Sequence, residues 1–141
     1  MPKYLLTTAK VTVGATDLSD FAFSLDTPET RDQVDVTGFN PTASREYLPG
    51  PKDQTITIGF LQGFGTGEPH QVLQPLFASG TSFAISVRPD MNASPSVSNP
   101  TFGGTAILYE YNGLSGSLPD RGEITATFRP ATSAGFAWGT A

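Results

Sequence analysis

Six short runs in this chain put an apolar side chain at every second position, and that spacing restricts the fold more than any other feature. They are Val11 and Val13; Phe21, Phe23 and Leu25; Ile56, Ile58 and Phe60; Phe83, Ile85 and Val87; Ile107, Tyr109 and Tyr111; and Ile124, Ala126 and Phe128. Side chains alternate sides along a strand, so each run offers one apolar face to a core and one face to water. Half-buried alternation of this kind belongs to antiparallel sheets. A turn through Ala15, Thr16 and Asp17, then Pro28, Pro89 and Pro130, punctuate the runs, as short strands joined by turns require. Gln33 to Gly38, with Val34 and Val36 on one side, reads as a further extended run.

One segment changes period. From Glu68, the residues Val72, Leu73, Leu76 and Phe77 fall at helical spacing, with Pro69 placed for the first turn and Gly80 for the end. Pro75 inside it removes a backbone bond, so the sequence predicts a short, kinked or split helix. Asp90 to Gly104 is rich in Asn, Ser and Pro and reads as an exposed loop. Thr105 to Tyr111 and Glu123 to Arg129 read as a long hairpin, with Ile107, Tyr109 and Tyr111 against Ile124, Ala126 and Phe128. The expected fold class is therefore all-β with one short helix, an antiparallel β-sandwich or barrel. Residues 1–130 form one domain. Residues 131–141 are expected to be a C-terminal arm with Phe136 and Trp138 exposed, flexible alone or ordered on a neighbouring subunit.

A chain of 141 residues, 38% apolar, makes one ordinary domain with a real core. No cysteine is present, so disulfides and thiolate metal sites are excluded and cytoplasmic assembly is expected. No apolar segment approaches the roughly 20 residues of a membrane helix, so no membrane association is expected. Eight Lys and Arg stand against thirteen Asp and Glu, a net charge of −5. General nucleic-acid binding, which needs a basic surface, is disfavoured.

The chain lacks the motifs of catalysis. His70 is the single histidine and has no metal-site partner pattern. No GxSxG elbow, Walker loop or dinucleotide fingerprint occurs. The run GFGTG from Gly63 to Gly67 precedes a helix, but it lacks the Lys and Ser or Thr of a phosphate cradle. No enzyme activity and no cofactor are expected.

Acids gather between Asp17 and Asp35: Asp17, Asp20, Asp26, Glu29, Asp32 and Asp35, with only Arg31 among them as counter-charge. They lack the spacing of a calcium-binding loop. Paired carboxylates for glycoside hydrolysis make a weaker signal still. A solvated strand face with turns accounts for them. The long segment Asn40 to Asp53 carries Arg45, Glu46, Tyr47 and Leu48 between Pro41, Pro49 and Pro51. Long loops without structure of their own are uncommon, so this one is a candidate contact surface.

The run VDVTGFNPTASREYLPGPKDQTITIGF, followed by HQVLQPLFASG, FAISVRP, NPTFGG and AILYEYNGLSGSLPDRGEITATFRP, resembles the tail tube (major tail) proteins of long-tailed bacteriophages. The resemblance covers roughly residues 9 to 130. It implies a β-sandwich subunit that self-assembles into homo-oligomeric rings, hexameric in kind, stacked into a hollow tube. Viral DNA then passes through without specific binding, other partners are tail assembly proteins, and the product resides in the virion tail after assembly in the host cytoplasm. It also implies that the loop with Arg45, Glu46, Tyr47, Leu48, Pro49 and Pro51 reaches a neighbouring ring. Asp26, Glu29, Asp32 and Asp35 become candidate lumen-lining acids. Like charges repel within about 8 to 10 Å at physiological salt, and ring symmetry multiplies each acid around the bore. The segment Asn92 to Gly104 and both termini would be secondary contacts.

Two rivals stand beside this reading. One is another ring-forming tail or neck component. The other is a β-sandwich carbohydrate-binding module in which Tyr109, Tyr111 or Trp138 would stack on sugar rings, disfavoured because those tyrosines are expected on the buried strand face.

Overall fold

A computed structural model describes residues 5–118 and 120–140. The chain order is β1 (Lys10–Val13), β2 (Thr16–Asp17), β3 (Ala22–Asp26), β4 (Glu29–Asp35), β5 (Tyr47–Gln54), β6 (Ile56–Leu61), α1 (Pro69–Ser79), β7 (Phe83–Arg88), β8 (Thr101–Ser115), β9 (Glu123–Pro130) and β10 (Ala137–Gly139). The main antiparallel sheet runs β2-β1-β7-β8-β9-β6-β3, with β10 paired to β8; β4 and β5 form a separate two-stranded hairpin.

Connectivity forces the main sheet to curl. Laid flat, the six intervals from β2 to β3 would span about 29 Å at the ordinary strand spacing of about 4.8 Å. The chain passes from Asp17 in β2 to Ala22 in β3, a link that reaches at most about 18 Å. The two edges must therefore approach each other, and Leu18 on that link is fully buried between them. Its N–H donates to the Val11 carbonyl at 2.9 Å, and the Leu61 N–H donates to Phe21 O at 2.7 Å. The result is a rolled, barrel-like sheet around one core.

That core holds the residues whose alternation predicted it: Val11, Val13, Ile56, Ile58, Phe60, Ile85, Val87, Ile124, Ala126 and Phe128. Leu73 of α1 closes it, with Val72 and Leu76 packed alongside. The helix runs from Pro69 to Gly80 as the sequence predicts, and Gly80 adopts the left-handed conformation (φ 66°) as its C-cap. It is continuous through Pro75. Both Pro75 and Gln71, whose carbonyl loses its helical donor, are exposed, which keeps the missing bond out of the core.

Four expectations are corrected. First, Ile107 and Tyr109 do not face the core. A register shift between Leu108 and Glu110 reverses the sides of β8, so Phe102, Ala106 and Leu108 are buried, while Tyr109 is exposed. Tyr111, beyond the shift, packs against the core. Second, Phe23 is the extra residue of a bulge between Ala22 and Ser24. It turns outward beneath the Arg121 guanidinium, 4.2 Å from its ring centre. Third, the loop expected up to Gly104 ends earlier, because β8 begins at Thr101. A side chain at Gly103 would collide with the Ile85 carbonyl oxygen, which is why glycine stands where β7 and β8 come closest. Fourth, Phe136 is not exposed. It is buried and makes an edge contact with Phe102 at 5.7 Å, and β10 pairs with Thr101–Gly103 of β8.

Candidate assembly surfaces

The hairpin β4–β5 is the part of the molecule that does not share the core. Every residue of β4 is exposed, and β5 is exposed except at Gly50 and Gln54. The segment expected as an irregular loop from Asn40 to Asp53 is thus half strand. Prolines hid it. Pro49 sits opposite Gln33, and Gly50 and Pro51 together oppose Asp32 in a bulge. Proline is tolerated there because a two-stranded hairpin has two open edges and a bulge leaves a residue unpaired.

The arm is ordered by its own short-range bonds. The Thr37 N–H donates to Asp35 Oδ1 at 2.9 Å, and the Glu46 N–H donates to Thr37 Oγ1 at 2.8 Å. Arg45 pairs with Asp35 at 3.1 Å. At the tip, Asn40 Oδ1 accepts from the N–H groups of Thr42 and Ser44, while its Nδ2 donates to Ser44 O at 3.0 Å. Ala43 takes a left-handed φ of 54° to close this turn. The bonds from Thr37 and then Arg45 hold the Asp35 carboxyl below its ordinary titration range. The turn presents Phe39 wholly to solvent, and Val34, Val36, Tyr47 and Leu48 are also exposed along the arm. Val34 sits directly across from Leu48, so these two form one apolar patch. Five large apolar groups thus stand exposed on one two-stranded projection, Tyr47 on the face opposite Val34 and Leu48, and exposed apolar groups gathered in this way mark an interaction surface.

The arm's root is built differently. Gln54 is 4% exposed. Its Nε2 donates to Glu29 Oε1 at 2.7 Å and to Phe136 O at 2.9 Å, and its Oε1 accepts the Phe136 N–H at 2.9 Å. Trp138 Nε1 donates to Glu29 Oε2 at 3.0 Å. These donors, the indole first, hold the Glu29 carboxyl below its ordinary range.

The predicted contact residues Arg45, Glu46, Tyr47, Leu48, Pro49 and Pro51 all lie on the arm. The four acids separate. Asp26 ends β3 on the barrel, whereas Glu29, Asp32 and Asp35 belong to β4. Among the described residues no group of three His, Asp or Glu could hold a metal ion. At GFGTG, the Glu68 carboxylate lies against Gly65, 3.0 Å from where a side chain would begin. An acid already occupies the place a phosphate would need. His70 is half-buried, its Nδ1 2.7 Å from the Tyr111 hydroxyl and its ring 5.1 Å from Phe64. Burial raises the Tyr111 phenol above its ordinary range. Sequence reasoning missed the fastening by Gln54 altogether, since a lone glutamine carries no periodic signal.

Comparison with solved structures places this architecture. The chain superposes on a chain of the native gene transfer agent virion with a TM-score of 0.71 at 14% identity, covering 94% of this chain and 95% of that one. A chain from the tail of the empty gene transfer agent particle, refined with C6 symmetry, gives 0.69 at 13% identity, over 95% and 94% of the two chains. A chain of the sheath–tube complex of an extracellular contractile injection system gives 0.69 at 12% identity, over 99% and 93%. Its fold is that of a tail-particle chain. No family model matches the sequence, and no curated protein matches it. The shared feature is therefore the backbone architecture, over 93–99% of each chain.

Proposed function

We propose that this protein is a non-enzymatic wall subunit of a tail tube, forming homo-oligomeric rings that stack around a channel for genome delivery. The observation that carries this reading is the end-to-end structural match to chains of tail particles, one of them refined with sixfold symmetry. The exposed apolar arm supplies the contact such an assembly needs: Phe39, Val34, Val36, Tyr47 and Leu48 are costly to leave in water and gain by burial against a neighbour. Rings are hexameric, and the arm with Arg45, Glu46, Tyr47, Leu48, Pro49 and Pro51 reaches the neighbouring ring. The open edges of β2 and β3 offer further backbone pairing.

Asp26, Glu29, Asp32 and Asp35 are the acids proposed for the bore: Asp26 stands on the barrel at the root of the arm, Glu29 and Asp35 share one face of β4, and Asp32 lies on the other. A negative wall lets DNA slide without adhering. Tail assembly proteins are the remaining partners, the subunits assemble in the host cytoplasm, and the product is a virion tail. A chain of a baseplate structure shares the fold as well, with a TM-score of 0.59, and another ring-forming tail component is the alternative within the same class. The carbohydrate-module alternative loses support on geometry. Tyr109 and Trp138 are both exposed, but Trp138 lies opposite Phe102. Seven residues along a strand separate that position from Tyr109, about 23 Å, too far for one stacking platform.

Negative-stain microscopy of the purified protein at high concentration tests the proposal. Rings or tubes of uniform bore support it. A strict monomer that binds glycans on an array overturns it.

A further inference from the structure

We infer that the C-terminal strand is a strap that sets the direction of the β4–β5 arm, with Gln54 as its buckle, so that strap and arm are released together. This rests on the reading of the arm as the contact element, and it adds a device that governs it. The hairpin belongs to a different sheet from the barrel, and where β3 and β6 run on into it the backbone bond from the Thr55 N–H to Pro28 O, at 3.2 Å, bridges the two pairs, a junction narrow enough to leave the arm's direction to its side-chain ties. The bonds that tie it down sit at its base. The Asp53–Arg129 ion pair there is largely exposed, at 3.3 Å, and an exposed pair of that kind contributes little. Gln54 is different. Its buried amide pairs with both backbone groups of Phe136, as a neighbouring strand would, and its Nε2 also reaches Glu29 across the hairpin.

The strap is in turn fixed to the barrel by Phe136 in the core and by three residue pairs between β10 and β8. Trp138 lies on Phe102, 4.6 Å between ring centres, while its indole N–H reaches Glu29 on the arm. Barrel, strap and arm are thus linked in series through residues 136–138. Gly135 belongs to the same arrangement. Its φ is 68°, and a side-chain carbon there would lie 2.6 Å from Gln54 Oε1. Only glycine both makes the turn and leaves room for the buckle. A three-residue strand paired on one side only is the kind of element that opens below the global unfolding threshold. The strap therefore gives the arm two conditions, fastened and free, without unfolding the barrel.

Hydrogen-exchange mass spectrometry on the full chain tests this, with Trp138 fluorescence as a second readout because the protein has a single tryptophan. Gln54→Leu removes the buckle. Glu29→Gln changes only an exposed group, and it weakens the charge-assisted bonds from Trp138 and Gln54 without threatening the fold. Gln54→Leu is expected to speed exchange about tenfold or more both in the strap and in the arm root at 29–33 and 50–54, with β6 and β9 unchanged. Glu29→Gln is expected to give the same pattern more weakly, with a red shift of Trp138 emission. Faster exchange in the strap while the arm root stays as in the parent protein would overturn the inference. So would a Glu29→Gln change spread evenly over every strand. Both readouts are taken on unassembled chain, so they stand or fall apart from whether the protein builds tubes.

Discussion

In the barrel, Ile56, Ile58 and Phe60 alternate along β6 and vanish from solvent; in the arm, Val34 and Leu48 face each other in the same antiparallel geometry and stay 46% and 53% exposed. The local conformation is the same, and what differs is whether a second layer covers it. β6 lies between β9 and β3 with the core beneath, so each apolar residue adds roughly 1.5 to 3 kcal/mol of burial. The arm has only its partner strand. A lone two-stranded hairpin is marginal in water at best, and this one persists through tip bonds from Asn40, Thr37 and Asp35 and through the root at Gln54. Apolar groups held in order without being covered are a surface prepared for a neighbour, which is the physical content of the tube proposal.

The sharpest way to break this contrast is to truncate one aromatic on each side. Phe128→Ala in the barrel removes a fully buried ring that also meets Phe83 edge-on at 5.8 Å. It should cost about 3 to 5 kcal/mol in denaturant unfolding. Phe39→Ala at the arm tip should change monomer stability by less than about 0.5 kcal/mol while abolishing rings and tubes under the microscope. Equal stability losses would mean the arm belongs to the folding unit; unaltered assembly would remove the arm from the interface.

A smaller effect is expected at Gly103. Placing alanine against the Ile85 carbonyl must push β7 and β8 apart, at about 1 to 3 kcal/mol, read by the urea midpoint. Next comes Tyr111→Phe, which takes the hydroxyl away from half-buried His70 and should cost about 1 kcal/mol. No change there would show that the histidine already prefers another partner.

The smallest effect is a pH dependence confined to the arm. Glu29 and Asp35 have carboxyl groups lowered in the folded state from ordinary values of 4.5 and 3.8. A lowered folded value means the contribution is complete above the ordinary value and is lost as pH falls through the folded one. Acidification below about pH 4 should therefore loosen root and tip, with Trp138 emission shifting before the far-ultraviolet signal of the barrel changes. Glu29→Gln should flatten that early shift. A Trp138 transition coincident with global unfolding in both proteins would show that the arm root has no titration of its own.

Much of the barrel was legible beforehand because burial on one face writes itself as period two. Val11 and Val13, Ile85 and Val87, and Ile124 to Phe128 needed no partner to be identified, and Pro69 and Gly80 marked the helix ends by their own backbone preferences. Reading failed wherever one inserted residue changed parity. The shift after Leu108 moved Tyr109 outward, and the bulge at Phe23 did the same, since a slip of one residue exchanges the two faces of a strand. It failed again at β5, where Pro49 and Pro51 carry the composition of a loop in a hairpin whose open edges accept them. Arg45 to Pro51 were found as a surface, but as a loop and not as a strand.

The sequence by itself determined an antiparallel, cysteine-free, acidic domain with one helix, because alternation, turn residues and charge act over a few neighbouring positions. Only the tertiary structure decided which surfaces remain uncovered and what fastens them. Gln54 meets Phe136 across 82 residues of chain, and no local pattern records a bond whose partners are brought together solely by the rolling of the sheet.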